Sequence, residues 1–246
     1  MNRWLLLSFL LLSGAAHAAE PTRLDETLTV ERLTPKLWQF RASHSWEGGK
    51  PIEANGLFVI GESEIAMIDT GWTDSQAATL IDWIEAQTSM PVRYVVATHW
   101  HWDRMGGMAE VNRRGIRGVA QERSAVLGGE HEIAAPAIRF QELLEIDLGD
   151  RRVELFFPGG GHTEDNIVVW LEAEQMLYGG CMVKSRSSNI GYLDDATLED
   201  WEGSLQRVAE RYPQTRRLLP GHGEEGDLKL LDHTAALVRG ALRAER

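Results

Sequence analysis

Apolar residues in the first part of the chain recur in short runs of strand character, Leu28 to Leu33, Leu37 to Arg41, Gly56 to Ile60 and Ile65 to Ile68, interrupted by Gly, Asn and Pro. Between the second and third runs lies SHSWEGGKPIEANG, a polar, Gly-rich connection whose one exposed-looking aromatic is Trp46. It reads either as a hairpin flap or as a plain surface loop. From Asp74 the period changes. Ala77, Leu80, Ile81 and Ile84 fall at helical spacing behind a Thr73-Asp74 start, which predicts an amphipathic helix over 74–87. Val92 to Ala97 then has the continuous apolar character of a buried strand leading to His99. A helix follows from Gly106 to Arg113, a strand from Gly118 to Gln121, and a short helix from Arg123 to Leu127.

The second half repeats the plan. Strands are expected around Glu142 to Leu148, Val153 to Phe157, Ile167 to Leu171 and Gln175 to Tyr178. A helix over Thr197 to Arg211, a strand at Arg217 to Leu219 and a helix from Leu228 to Leu242 close the chain. Each half therefore runs strands first and then alternates helix with strand. Two such halves stack sheet on sheet with helices outside, a four-layer α/β sandwich. No linker, low-complexity tract or short-period repeat divides the chain into separate domains.

The first 19 residues stand apart from this pattern. A basic Arg3, an apolar run from Trp4 to Leu12 and a small-residue stretch with Ala-His-Ala form the signature of a secretory signal peptide, cleaved after Ala18 or Ala19. The apolar run is well short of the roughly 20 residues that span a bilayer. The mature chain, residues 20–246, is then one periplasmic domain.

Composition narrows the choice of partner. The chain has 246 residues, 43% of them hydrophobic, enough for a sizeable core, and a net charge of -12 that argues against nucleic acid or an anionic membrane. A small molecule that meets one local cation is the expected partner. No sustained heptad pattern suggests a coiled-coil partner, so a monomer is expected. Export also gives meaning to the single cysteine, Cys181, which cannot form an internal disulfide. It is either a buried small hydrophobe or a thiolate metal ligand.

Four segments join an apolar strand to a sharp turn bearing a metal-competent side chain: VVATHWHWD, FFPGGGHTEDN, MLYGGC and LLPGHG. They supply His99, His101, Asp103, His162, Cys181 and His222. Loops at the ends of neighbouring strands are where functional groups converge in α/β proteins. In an extended segment residues two apart point to one side, so His99, His101 and Asp103 can face one cavity. With His162 they give a three-His set suited to a catalytic zinc with an open position, and Asp103, Cys181 and His222 could hold a second ion. Imidazole, thiolate and carboxylate suit zinc better than magnesium or calcium. The other histidines, His17, His44, His131 and His233, read as structural or surface residues.

At these residues the chain resembles the metallo-β-lactamase superfamily. His99-Trp100-His101-Trp102-Asp103 with Gly106-Gly107 looks like its His-x-His-x-Asp motif, and Gly161-His162-Thr163, Gly180-Cys181 and Gly221-His222-Gly223 match its later ligand motifs. The likeness runs from about Leu28 to the C-terminal helix, and the family's αββα sandwich agrees with the four-layer reading. Many relatives carry His after the motif Asp, where this chain has Arg104, and Asp where it has Cys181. Lys184 in GGCMVKS is placed as in the subclass B1 β-lactamases, where a lysine meets the substrate carboxylate.

The resemblance implies that His99, His101 and His162 bind one zinc and Asp103, Cys181 and His222 another. It also implies that Asp69 supports the ligand loop from below. Zinc lowers the pKa of bound water to about 7, so the implied reaction is hydroxide attack on a β-lactam amide in penicillins, cephalosporins and carbapenems. Asp103 would orient the nucleophile and Lys184 would hold the substrate carboxylate. In KSRSSNIGYLDDA, aligning on Asp195-Ala196 puts Tyr192 where the B1 pattern has an Asn that helps polarise the carbonyl, with Asn189 just upstream. Either side chain can donate a hydrogen bond. Arg104 is expected to pair with carboxylates behind the metals, and Trp46, Trp100 and Trp102 offer apolar walls. Two alternatives share the ligands: a dizinc hydrolase of thioesters or lactones, and a non-catalytic periplasmic zinc-binding protein.

Overall fold

Strand pairing begins where the apolar runs do. In the computed structural model, which describes residues 20–47 and 49–244, β1 (Thr22–Arg23), β2 (Leu28–Thr34), β3 (Leu37–His44), β4 (Ile52–Ile60) and β5 (Ile65–Ile68) form an antiparallel meander. The expected signal peptide lies outside the described residues. β3 and β4 pair from Leu37↔Val59 out to His44↔Ile52, so half of the polar connection is paired strand of a long hairpin. From β5 the sheet continues in parallel through β6 (Val92–Val96), β7 (Arg117–Gln121) and β8 (Ile138–Phe140). Each parallel step needs a crossover, supplied by α1 (Asp74–Thr88), then α2 (Trp102–Met105) with α3 (Met108–Arg113), then α4 (Glu122–Glu130).

The second sheet holds five strands in the order β13-β12-β11-β10-β9. These are β9 (Leu143–Asp147), β10 (Arg152–Phe156), β11 (Val168–Leu171), β12 (Met176–Gly180) and β13 (Arg217–Pro220), with α5 (Leu198–Arg211) crossing before β13 and α6 (Lys229–Ala244) closing the chain. Only β12 and β13 run parallel.

Three buried clusters separate four layers. Phe40, Phe58, Met67 and Val95 on one face of the first sheet pack with Leu80, Ile81, Ile84, Met105 and Val111 of its helices. The opposite face contributes Leu57, Ile68 and Val119 to a middle layer completed by Val153, Leu155, Val169 and Tyr178 of the second sheet. Trp170, Leu177 and Leu218 on the far side of that sheet pack with Trp201, Leu205 and Val238 of α5 and α6. Strands buried on both faces lose the apolar-polar alternation of a half-exposed sheet. β5 (IAMI) and β11 (VVWL) show this, being buried at every position. The fold is the αββα sandwich that the order of elements predicts.

Three local readings change. The helix expected from Gly106 begins at Met108, and a separate single turn, α2, precedes it. β8 was not expected, because a three-residue strand with half-buried Ile138 and exposed Arg139 leaves almost no periodicity to read. Residues 99–103 are not extended: they bend through His101, the N-cap of α2, and Asp103 already lies in the helix.

Candidate metal centre

The six candidate ligands meet at one edge of the sandwich, where strands of both sheets end. His99 follows β6, and His101 and Asp103 sit at the start of α2. His162 is on the loop after β10, Cys181 follows β12 and His222 follows β13. Donor atoms of Asp103, Cys181 and His222 lie within 4.8 Å of one another, and so do those of His99, His101 and Asp103 and those of His99, His162 and Cys181. The rings of His99, His101 and His162 form a near-equilateral triangle, with centroids 4.7, 5.1 and 5.0 Å apart. Convergence of the motif thus comes from the bend into α2, which turns Asp103 towards Cys181 and His222, and not from the alternation of an extended chain.

Chemistry of the donors tests whether a metal fits. Both ring nitrogens of His99 and Nδ1 of His162 are buried without a hydrogen-bond partner. Burial, first of all, holds both imidazoles well below their usual pKa of 6.5, so they are neutral and offer lone pairs. A buried polar atom left unpaired costs about 1–3 kcal/mol, and a cation at the centre of the cluster would remove that cost for the His99 nitrogen that faces it. Mixed N, O and S donors at this spacing fit a transition-metal ion such as zinc and do not fit magnesium or calcium.

Neighbouring groups fix which atoms face inward. His101 directs Nε2 to Asp195 Oδ2 at 2.9 Å, leaving Nδ1 for the cluster, 3.2 Å from His162 Nε2. His222 Nδ1 donates to the Glu53 carbonyl at 2.7 Å, leaving Nε2 3.0 Å from Asp103 Oδ2. Such outer contacts set tautomer and ring orientation in metal sites. Burial disfavours charge on His222, yet the adjacent Cys181 and Asp103 raise its pKa to about 10. Without metal it therefore carries a proton that ligation must displace.

Beneath the cluster lies a cation. Arg104 is fully buried and contacts Asp103 Oδ2 at 2.9 Å, Asp69 Oδ2 at 3.1 Å and Cys181 Sγ at 3.1 Å, and donates to the carbonyls of Asn55 and Gly221 at 2.6 and 2.8 Å. Burial raises the Asp103 carboxyl, but Arg104 and then His222 overcome that and hold it well below its ordinary 3.8. Asp69 accepts from the Thr98 backbone N–H at 2.8 Å, the Thr98 hydroxyl at 2.9 Å and the Tyr178 hydroxyl at 2.7 Å, which ties the His99 loop down as expected of it. Its φ of +65° is a left-handed conformation uncommon for a side-chain-bearing residue, held by those bonds. Gly221 has no room for a side chain: a Cβ there would stand 2.7 Å from the Gly180 carbonyl carbon and 2.8 Å from the Cys181 nitrogen.

Above the cluster a cleft of about 700 Å³ opens to solvent. Lys184, Asn189 and Tyr192 all line it, as do Trp46, Trp100 and Trp102. Lys184 is 9% exposed, and its ammonium sits 5.4 Å over the Trp201 ring while burial lowers its pKa. Tyr192 is largely exposed, with its ring 5.8 Å from that of His101. His131, expected to be a surface or structural residue, is exposed at the cleft and stacks on Trp100 at 4.3 Å. His44, read the same way, stacks on Trp72. Asn55, Trp72, Tyr178 and Asp195 were not singled out from sequence. Only Asp195 carried a signal, through its place beside Ala196 in the motif used for alignment.

The family profile of the metallo-β-lactamase superfamily matches residues 50–222. A Metallo-beta-lactamase type 2 of Bacteroides fragilis is 30% identical over 239 residues, covering 97% of this chain and 96% of that protein. The protein of the same description from Bacillus cereus is 36% identical over 214 residues, covering 87% and 83%. Among solved structures, a metallo-beta-lactamase from Pontibacter korlensis superposes with a TM-score of 0.82 at 37% identity, covering 86% of this chain and 99% of the other.

Proposed function

Because the chain belongs to the metallo-β-lactamase superfamily, we propose that it hydrolyses the amide bond of β-lactam antibiotics and so confers resistance to penicillins, cephalosporins and carbapenems. The observation that carries this reading is the meeting of six N, O and S donors, with both ring nitrogens of His99 buried and unpartnered, at the floor of an open cleft that also holds a buried lysine. His99, His101 and His162 would hold one zinc ion, and Asp103, Cys181 and His222 a second. Bound zinc supplies Lewis acidity to the scissile carbonyl and acidifies water to near-neutral pKa.

The protein's own groups do the rest. Lys184 holds the substrate carboxylate, its charge strengthened by a site that excludes much of the solvent. Asp103 orients the attacking water, and Asn189 and Tyr192 stand at the cleft edge as donors to the carbonyl oxygen. Asp195 fixes the His101 ring, while Arg104 compensates the charges of Asp69 and Asp103 from below. Trp46 and Trp102 wall the substrate and limit water. The composition of residues 1–19 supports export, so that the mature chain, residues 20–246, acts in the periplasm, and as a monomer.

Turnover of a chromogenic cephalosporin and of a carbapenem by the purified mature protein tests this, with added zinc, after chelation, and in a Cys181→Ser variant. Activity that is lost on chelation, restored by zinc and sharply lower in the variant is expected. A zinc-loaded protein that turns over neither substrate overturns the assignment.

A further inference from the structure

A second cleft of about 560 Å³ adjoins the metal cleft, and Trp46, Trp72 and Trp102 line both. Trp46 and Trp102 are 53% and 39% exposed, which keeps apolar aromatic surface open to solvent beside a ligand site. Exposed apolar surface gathered at a cleft marks binding more often than chance. The rings stand at an angle to one another. His44 stacks on Trp72 at 5.5 Å and 25°, and Trp46 stands edge-on to both, at 79° to His44 and 84° to Trp72. Trp72 is fixed, its indole N–H donating to the Ala42 carbonyl and its backbone N–H to Gln76 Oε1.

Charge in this cleft has one sign. Its ionisable lining residues are His44 and Asp74, with no lysine or arginine. Asp74 Oδ1 accepts the Glu110 N–H at 3.0 Å, which orients the carboxylate, and among the described residues no cation pairs with it. Nearby Glu110 is already met by Arg113 and Arg114. The positive end of α1 would favour an anion, but Asp74 itself occupies the first turn and the Thr73 hydroxyl caps the Gln76 N–H. Aromatic faces, one uncompensated carboxylate and no competing cation suit a weakly hydrated organic cation.

We propose that this cleft is a subsite for a positively charged organic substituent, a quaternary ammonium or a pyridinium, on the substrate that occupies the metal cleft. The proposal rests on the hydrolase reading only for what carries the cation. Lys184 at the metal cleft would take the carboxylate of such a zwitterion and Trp46, Trp102 and Asp74 its cationic arm.

The probes are choline and its neutral isostere 3,3-dimethylbutan-1-ol, which differ in charge and hardly in shape. They are titrated into the zinc-loaded protein while the indole N–H resonances of Trp46 and Trp102 are followed. Choline is expected to saturate the shifts at a concentration about fivefold lower than the alcohol, the size of a partly exposed cation–π contact. Asp74→Asn, which keeps the acceptor for Glu110, is expected to remove most of that preference, and Trp102→Ala to weaken choline binding. Equal affinity for the two probes, or a preference that survives Asp74→Asn, overturns the proposal. Hydrolysis of a neutral-side-chain β-lactam is read on the same sample. Turnover without a choline preference sinks the subsite alone, and a choline preference without turnover sinks the hydrolase reading while leaving a cation site.

Discussion

Replacing Arg104 with methionine keeps much of the side-chain volume and removes one charge from the interior. In the native protein that guanidinium is fully buried and faces two carboxylates, those of Asp69 and Asp103, and two carbonyls. Removing one partner of a buried ion pair typically costs about 3–5 kcal/mol, since the other charge is left uncompensated. Here two carboxylates lose it: Asp69 keeps only Tyr178 and Thr98, while Asp103 keeps the protonated His222. A loss of about 3–5 kcal/mol corresponds to a fall in melting temperature of roughly 6–20 °C for a chain of this size. The assay is urea unfolding of the metal-free protein at pH 7, because a bound cation would itself neutralise Asp103. Arg104→Lys, which restores charge but cannot fork to both carbonyls, should recover only part of the loss. A deficit below about 1 kcal/mol in the methionine variant would refute the view that Arg104 balances these buried carboxylates.

Other expectations follow from single contacts. Asp195→Asn should lower metal affinity or turnover about 10- to 100-fold by loosening the His101 ring, as read by metal titration against a chelating indicator. Gly221→Ala forces a Cβ onto the Gly180–Cys181 backbone; a displacement near 1 Å should reduce kcat about 100-fold, with the greater loss in occupancy at the Cys181 and His222 end. Glu110, held below its ordinary pKa of 4.5 by hydrogen bonds from Arg114 and Arg113, stabilises the fold when ionised. That contribution is present above pH 4.5 and is lost as pH falls through the depressed folded value. Melting curves of Glu110→Gln and the parent should thus differ by about 1 kcal/mol at neutral pH and converge once the pH has fallen below the depressed folded value.

Much of the site was legible because its ligands lie in short local motifs at strand ends, and identity and placement together point to a metal. The ring that orients them was legible only in part. Arg104 could be read as a counter-charge from its place beside Asp103, but Asn55 and Tyr178 reach it across 49 and 74 residues, and no local pattern marks them. Asn55 also donates to the carbonyls of Pro220 and Gly223, binding the His222 loop to β4 across 165 and 168 residues. The stacking of exposed His131 against Trp100 is a packing fact that sequence spacing does not encode. In the fold, strong periodicity located α1, α5 and α6 within a few residues, whereas α2 is a single turn and too short to carry a period.

His99, His101 and Asp103 come from the sheet that contains β6, and His162, Cys181 and His222 from the sheet that contains β10, β12 and β13, so neither half of the chain can assemble the centre alone. Metal occupancy is therefore thermodynamically linked to docking of the two sheets. A substitution deep in the middle layer, such as Val153→Ala or Leu57→Ala, touches no ligand. Yet any strain it places on inter-sheet alignment would be felt as a weaker grip on the ion, and metal starvation would in turn loosen the seam between the halves. Where the metal is scarce, the lifetime of the folded protein and its catalytic competence fall together.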